Sequence, residues 1–353
     1  MYAKKNIVKV LIFIGTIFLF NPQIKSQAAF DSLKIKLPKH YFKTVIILDS
    51  YRKANQDFTD TADFLVKRLK SYGLKQFNAS FYTPLYSKTT ETKGVTKNTH
   101  LLLTGNFMLL QPLFNGISQH SLIKAGMGIR YIFNSGKKGV WFVDASPFVT
   151  KDVTYASKGY FRLASTMVYS HNVNDNFNWR VGITKSFMWG NKYYWPFLGL
   201  RIGKLDKVNL SIQFPRSINF NVPVGPNFSL SMYTKPQGGM FNFSNNDSLY
   251  YLGNASTFHY TCYELNTGFR ADFRMSNNFN FYLATGISSK NNVTFYSEKA
   301  NNSRPRMPYR NYFFSETLAP TLFLNAGLVV KFGKTRSFYK DRNMYDVMDL
   351  NNT

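Results

Sequence analysis

Histidine and serine are the residues of this chain whose types and spacing come nearest to catalytic chemistry. His120 is followed directly by Ser121, and His259 stands near another predicted strand end. A serine activated by a histidine can attack an ester, but that chemistry also needs a group that orients the base. The sequence identifies no such group, and a lone histidine or serine at the rim of a sheet is usually an ordinary polar residue. We therefore expect no enzymatic activity.

Motifs for other chemistry are missing from the sequence. It contains no Gly-x-Ser-x-Gly and no histidine pair at metal-binding spacing, and Cys262 is its single cysteine, so no disulfide can form within the chain. Gly333-Lys334-Thr335 matches only the end of a phosphate-binding loop, because Leu328 occupies the position of the earlier glycine. We expect neither a cofactor nor a metal.

Basic residues dominate the charge of the chain, with 44 Lys and Arg against 18 Asp and Glu and a net charge of +26. On the polar phase of the predicted strands, basic residues greatly outnumber the acidic Asp144, Glu264 and Asp272. A basic side chain that faces lipid at the middle of a membrane costs about 2–4 kcal/mol, so these residues must face inward or lie at a rim. Five are predicted to line a basic lumen: Arg130, Arg162, Arg180, Arg201 and Arg270.

A second basic group falls in a predicted loop, close to Tyr309 and Tyr312. It consists of Lys299, Arg304, Arg306 and Arg310. Arginine forks suit phosphate groups, so the group could bind an anionic lipid such as lipopolysaccharide. A solvated loop with surplus charge is an equally good interpretation. Nucleic acid is not expected as a partner.

The elements that must position these residues are β-strands. Apolar residues alternate with polar or small residues from Ile123 to Phe133, and a turn at Asn134–Gly139 leads into a second alternating segment. Similar hairpins follow along the chain without helical crossovers. Each segment has roughly the 9–11 residues that a tilted membrane strand requires. We count about 12 segments, within a range of 10–14, and predict an all-β, antiparallel up-and-down transmembrane barrel.

The strand Thr321–Phe332 has the clearest pattern, with one strictly apolar face that ends on an aromatic residue. Its last eight residues resemble the closing strand of bacterial outer-membrane β-barrels, which the barrel assembly machinery recognises. The polar, glycine, hydrophobic and aromatic positions of that pattern are Asn325, Gly327, Val330 and Phe332. The resemblance implies that this strand carries the assembly signal.

The N-terminal region predicts export. Lysines precede the apolar run Val10–Phe20, and short residues follow it, which is typical of a secretory signal peptide at residues 1–26. We expect a periplasmic segment at 27–73, in which Asp60–Gly73 has the spacing of a short amphipathic helix. The helix would pack on the barrel or act as a lid or partial plug. The barrel would occupy 74–332, and the polar residues 333–353 would form a periplasmic tail.

The chain as a whole resembles the uncharacterised outer-membrane β-barrels of Bacteroidetes-type bacteria. The resemblance rests on the many Lys, Asn, Tyr and Phe residues, on the signal ending before Gln27, and on hairpins rich in Gly and aromatic residues. It covers about Leu74 to Phe332 and departs from the common pattern because the chain continues past Phe332. It implies an outer-membrane location, with lipid, lipopolysaccharide and the assembly machinery as partners. It implies no biochemical activity.

The sequence is compatible with three hypotheses for function. The first is a passive channel whose basic lumen favours anions. The second is a closed structural or interaction barrel, in which Asp144, Glu264 and Asp272 pair with basic residues and the loops bind lipid or a partner. The third, and weakest, is a membrane-embedded lipid-modifying enzyme.

Overall fold

The computed structural model describes residues 44–58, 70–92, 95–118, 120–134, 138–154, 159–187, 192–204, 207–244, 257–276, 278–299 and 309–332. The predicted signal peptide and tail lie outside these ranges. Within them the regular structure is all β-strand. No helix in this part of the chain is long and apolar enough to cross a membrane.

Fifteen strands follow one another along the chain. They are β1 (Thr44–Asp57), β2 (Ser71–Thr92), β3 (Val95–Phe114), β4 (Leu122–Asn134), β5 (Gly139–Asp152), β6 (Tyr160–Asn174), β7 (Phe177–Ser186), β8 (Tyr193–Ile202), β9 (Asn209–Phe214), β10 (Ser217–Pro223), β11 (Phe228–Ser244), β12 (Thr257–Arg274), β13 (Phe279–Lys299), β14 (Tyr309–Leu318) and β15 (Thr321–Phe332).

The strands form one closed antiparallel barrel. Each strand from β1 to β13 pairs with the next, and β15 pairs with both β13 and β1. β14 extends the same edge of β13 that β15 occupies, so these two strands share one position in the wall. The wall therefore has fourteen positions, where the sequence predicted about 12. The undercount has a physical reason, since a short strand such as β10 presents too few residues for a clear alternation.

The two ends of the barrel differ. Thr44 pairs with Phe332, so the first and last strands begin and end at the same end of the barrel, here called the terminal end. The turns at this end are short, and residues 93–94 and 175–176 are the shortest. The opposite end, here called the loop end, carries the longer connections at 58–70, 245–256 and 300–308.

The N-terminal boundary of the barrel differs from our expectation. β1 lies inside the stretch 27–73, yet it pairs with β2 and β15 and completes the ring, so the wall begins at Thr44 instead of at residue 74. The predicted helix Asp60–Gly73 falls mostly on residues outside the described ranges, and its last three residues belong to β2. Gly73 does not end a helix. A Cβ there would overlap the side chain of Asn55 on the neighbouring strand.

The polarity of the barrel is inverted relative to that of an ordinary soluble protein. On β4, Met127, Ile129 and Tyr131 are exposed, whereas Arg130 between them is fully buried. The same alternation continues around the wall. Exposed apolar side chains include Met127, Ile129, Phe161, Leu163, Val181, Ile183, Leu198, Ile218, Met232, Phe269, Ile287 and Leu322. Buried polar side chains include Lys53, Gln76, Arg130, Asp144, Asp152, Arg162, Arg180, Arg201, Arg216, Glu264 and Asn266.

The strand β15 has the two faces that the sequence predicted. Leu322, Leu324 and Phe332 are exposed on the outer face, while Phe323 is buried on the inner face. Gly327 also faces inward, where the ring of Tyr282 from β13 covers it so closely that a Cβ would overlap the ring. Packing alone therefore requires a glycine at this position of the closing strand.

Replacing Gly327 tests this contact. We expect Gly327→Ala to destabilise the barrel by about 1–3 kcal/mol, because overpacking forces the Tyr282 ring to move. In a Tyr282→Ala background the same replacement should cost almost nothing, and urea unfolding of the purified protein measures both values. Gly225→Ala is the control, since a Cβ there meets nothing within 4 Å. An equal cost of Gly327→Ala in both backgrounds would refute the packing explanation.

Candidate functional site

The five arginines predicted to line a lumen have buried or partly buried side chains within the barrel, but they do not form one surface. Arg130 is sandwiched between the rings of Tyr82 and Phe142, with its guanidinium carbon 5.0 and 4.9 Å from their centroids. Arg162 donates from Nη2 to Oδ1 of Asn242, at 3.3 Å. Of the five, only Arg270 reaches the large interior cavity described below.

The remaining two arginines lie on neighbouring strands. Arg180 on β7 donates from Nε to Oδ1 of Asn178, at 3.0 Å, and is 4% exposed. Arg201 on β8 is 2% exposed. Both arginines belong to the packed part of the interior. The alternation along a strand therefore predicts that a side chain points inward, but it does not predict whether that side chain lines a cavity.

The three acidic residues on the inward phase all pair with basic residues. Nε of Arg130 donates to Oδ2 of Asp144, at 3.1 Å. Arg270 donates hydrogen bonds from Nε and Nη2 to the carboxylate of Asp272, at 2.6–3.0 Å. Glu264 pairs with a lysine instead of an arginine, because its Oε2 lies 2.9 Å from Nζ of Lys53. These pairs neutralise part of the interior charge.

Aromatic residues fill the interior at the loop end. Fourteen buried residues of β1–β4 and β11–β15, with Phe58 just after β1, form one cluster, here called the aromatic seal: Tyr51, Phe58, Tyr72, Leu74, Leu110, Phe114, Leu122, Phe241, Tyr260, Cys262, Val293, Phe295, Leu318 and Phe323. The hydroxyls of Tyr72 and Tyr260 are hydrogen-bonded at 2.6 Å, and the rings of Phe114 and Phe295 lie 5.9 Å apart. Strands that are four positions apart in the ring of fourteen therefore touch across the interior at this end.

A polar layer underlies the aromatic seal. Tyr51 donates its hydroxyl to Oε1 of Glu264, at 2.6 Å, beside the Lys53–Glu264 pair. Asn266 and Gln237 extend the layer, since Nδ2 of Asn266 donates to Oε1 of Gln237 at 3.1 Å. Buried polar groups that hydrogen-bond one another in this way hold β1 in one arrangement against β11 and β12.

Between this layer and the terminal end lies a cavity of about 500 Å³. Its charged lining residues are Asp49, Lys124, Asp144, Lys185, Arg216, Lys235, Arg270 and Asp272. The Arg270 and Asp272 side chains are 32% and 30% exposed, whereas Arg216 is only 7% exposed. The cavity thus runs from a wet region near the terminal end to a buried inner end. We call it the chamber.

Arg216 is the residue of the chamber that the sequence analysis missed. It sits in the tight turn between β9 and β10, outside any alternating run, so strand phase gives no signal for it. Its Nη2 donates to the hydroxyls of Thr166 and Thr184, at 2.7 and 3.4 Å. Among the described residues, its Nε and Nη1 have no hydrogen-bond partner.

The structure gives His120 a carboxylate partner and gives the Ser121 hydroxyl an amide partner. Nδ1 of His120 lies 2.7 Å from Oδ2 of Asp152, and both side chains are fully buried. The Ser121 hydroxyl accepts a hydrogen bond from Gln111 instead, at 3.2 Å. His259 packs against the ring of Tyr296, with centroids 5.1 Å apart. His120 and Asp152 thus form a buried pair at the loop end, and the absence of enzymatic activity stays a prediction.

The predicted lipid-binding loop is only partly within the described chain. Lys299 and Arg310 belong to β13 and β14, so they extend a hairpin rather than lie in a loop. Arg304 and Arg306 lie outside the described residues. The four assembly-signal residues are all on β15, where Asn325 reaches the chamber and Gly327 is opposite Asp49 of β1. Val330 and Phe332 lie on the outer phase of the same strand.

The chain belongs to a protein family described as a domain of unknown function (DUF6268), which it matches over residues 57–331. No curated protein matches the chain.

Several solved structures are similar to the chain. Acinetobacter baumannii OccAB4 is 10% identical, with a TM-score of 0.33, and the match covers 83% of this chain and 99% of that one. Pseudomonas aeruginosa OccK7 (OpdD) is 7% identical, with a TM-score of 0.31 and coverage of 82% and 99%. The translocator domain of autotransporter NalP from Neisseria meningitidis is 11% identical, with a TM-score of 0.26 and coverage of 90% and 97%. At these identities and TM-scores, no property of these proteins transfers to the chain.

The Lys53–Glu264 pair under the aromatic seal should contribute far more to stability than the Arg270–Asp272 pair. Glu264→Gln leaves a lysine that is 2% exposed without its counter-charge, which should cost about 3–5 kcal/mol. Asp272→Asn is the matched control at a pair that is a third exposed, where we expect a cost of about 1 kcal/mol or less. Urea unfolding of the purified barrel measures both. Equal losses of stability in the two variants would contradict the assignment of Lys53–Glu264 as a stabilising buried pair between β1 and β12.

Proposed function

We propose that this member of the DUF6268 family is an outer-membrane β-barrel whose interior is a blind chamber, closed at the loop end and open to water at the terminal end. The aromatic seal is the observation that carries this proposal. Such a protein would act by binding, within its chamber and through its loops, rather than by passing solutes across the membrane. The proposal corresponds to the closed interaction barrel among the three hypotheses from the sequence, and it includes no catalytic step.

The outer surface supports a membrane location. Large apolar side chains cover it strand after strand, which in water would be an exposed apolar surface far larger than soluble monomers carry. Near the terminal end, outward rings contact one another across four strands, from Phe133 through Trp141 and Tyr169 to Trp179, with centroids 5.1–6.5 Å apart. Aromatic girdles of this kind mark the membrane–water boundary of barrels.

The lengths of the connections support an orientation. Bacterial outer-membrane barrels have short periplasmic turns and longer external loops. The three longest connections, at 58–70, 245–256 and 300–308, are all at the loop end, where the β9–β10 turn is the one two-residue connection between neighbours of the ring. We therefore propose that the chamber opens toward the periplasm and that the aromatic seal faces outward. The segment 59–69 then belongs to an external connection rather than to a periplasmic lid.

The choice between a closed barrel and a passive channel depends on the seal. A channel needs a continuous wet path, but the rings of Phe114 and Phe295 and the hydroxyls of Tyr72 and Tyr260 meet across the interior, and β11 packs against β4 and β5. The basic chamber is the observation that favours the channel hypothesis, since basic rings favour anions in open pores. A closed chamber accounts for the inward position of the same basic residues and requires no water-filled path through the loop end.

The basic group at Lys299, Arg304, Arg306 and Arg310 fits this orientation. Lys299 and Arg310 lie at the loop end, where the phosphates of lipopolysaccharide would lie, and contact of the group with lipopolysaccharide remains a prediction of the sequence. Recognition of Asn325, Gly327, Val330 and Phe332 by the barrel assembly machinery is likewise a prediction.

Ion conductance in a planar bilayer tests the blind chamber. We expect the folded protein to give no steady conductance, because the seal removes the wet path. A Tyr72→Ala, Tyr260→Ala double variant should conduct, with anions passing in preference to cations. Phe161→Ala, on the outer face and 72% exposed, is the matched control and should stay closed. Heat-modifiable migration on gels checks that each preparation is folded. Steady anion conductance of the unmodified protein would refute the blind chamber and support the channel.

A further inference from the structure

We propose that the inner end of the chamber binds a small hydrophilic anion through Arg216. The inference deepens the proposed function, since it names the ligand class that the chamber takes. It rests on the chamber but not on the seal, because a site for a small anion can exist in an open barrel as well as in a blind one.

Positive charge is in surplus at this inner end. Arg130 and Arg216 are buried there, and Asp144 is the carboxylate that lies beside them. Oδ2 of Asp144 accepts from Arg130, and its Oδ1 accepts from the Ser146 hydroxyl at 2.7 Å. One carboxylate thus faces two cations. Buried charges are ordinarily paired, so an anionic ligand would balance a site that the side chains themselves leave positive.

Arg216 is held in place for such a ligand. Two threonines accept from its Nη2, and the ring of Phe197 lies 5.7 Å from its guanidinium carbon. Its Nε and Nη1 remain without a partner among the described residues, although the side chain is more than nine-tenths buried and lines the chamber. Buried guanidinium nitrogens in native proteins are nearly always hydrogen-bonded. A guanidinium group with unpaired N–H donors is the usual means of binding a carboxylate or a phosphate.

Lys124 adds another positive charge to the lining of the chamber. Its Nζ lies 4.8 Å from the centroid of the Phe148 ring, and it also lines the chamber. An aromatic ring stabilises an ammonium without neutralising it, so the charge remains available to an anion.

The rest of the lining indicates a hydrophilic body for the ligand. The side-chain oxygens of Asn106, Asn219 and Asn325 have no hydrogen-bond partner in the described part of the chain, and all three residues line the chamber. Amides hydrogen-bond hydroxyl groups. A volume of about 500 Å³ is within the range of about 300–1,000 Å³ that small-molecule sites occupy. We therefore expect a small organic anion with hydroxyl groups and either a carboxylate or a phosphate.

Titration calorimetry on the folded, detergent-purified protein tests the site with three probes: inorganic phosphate, gluconate and neutral glucose. At constant ionic strength we expect phosphate or gluconate to bind and glucose not to bind, and the stronger of the two anions identifies the acidic group. Arg216→Gln should weaken binding about tenfold or more, because a charged hydrogen-bond donor is lost. Lys124→Met should weaken it as well. Arg201→Gln, at a buried arginine outside the chamber lining, is the matched control and should bind normally.

Three results would overturn the site: no heat from either anion with the unmodified protein, equal binding of glucose, or unchanged anion binding by folded Arg216→Gln and Lys124→Met. If Arg216→Gln does not fold, as judged by heat-modifiable migration, Lys124→Met decides. Conductance separates this proposal from the blind chamber. A conducting barrel that binds anions through Arg216 would retain the site and reject the seal, whereas a silent barrel that binds no anion would do the reverse.

Discussion

Closure of the barrel by the ladder between β1 and β15 is the constraint on which the rest of the structure depends. Ten residue pairs, from Thr44–Phe332 to Lys53–Phe323, join the first strand to the last. In lipid, an open edge would leave backbone N–H and C=O groups without partners, and only a closed ring removes that edge. Once the ring is closed, successive side chains point outward and inward by turns. The apolar outer surface and the polar interior both follow from this alternation.

The polar groups of the interior then need hydrogen-bond or ionic partners. The interior is arranged differently at the two ends of the barrel. At the loop end, β11–β13 lie against β1–β4, so aromatic rings meet across the interior above the Lys53–Glu264 pair. Toward the terminal end a second buried apolar cluster packs the interior of β1–β6 and β8, and the chamber carries the Arg270–Asp272 pair in its lining. Arg216 lines the chamber and is almost completely buried, and its Nε and Nη1 have no hydrogen-bond partner among the described residues.

The sequence predicted what is local and periodic. The alternation on β4 and β15 is local, and so the antiparallel barrel and the two faces of the closing strand could be predicted from it. β1 was missed because residues 60–73 have helical spacing, and the start of the barrel was therefore predicted at residue 74. The seal joins residues far apart in the chain, such as Tyr72 and Tyr260, and no local pattern reveals such a contact. Arg216 was missed because a turn residue belongs to neither phase of a strand.

The central claim is that water reaches the chamber from the terminal end and does not reach the seal. Cys262, the only cysteine of the chain, lies in the seal and is 5% exposed. In folded protein reconstituted in a bilayer, a membrane-impermeant maleimide should leave Cys262 unlabelled until denaturant is added. In a Cys262→Ala background, a cysteine introduced by Asp272→Cys should label readily in the folded protein. Rapid labelling of Cys262 in the folded barrel, at a rate close to that of the Asp272→Cys variant, would contradict the account.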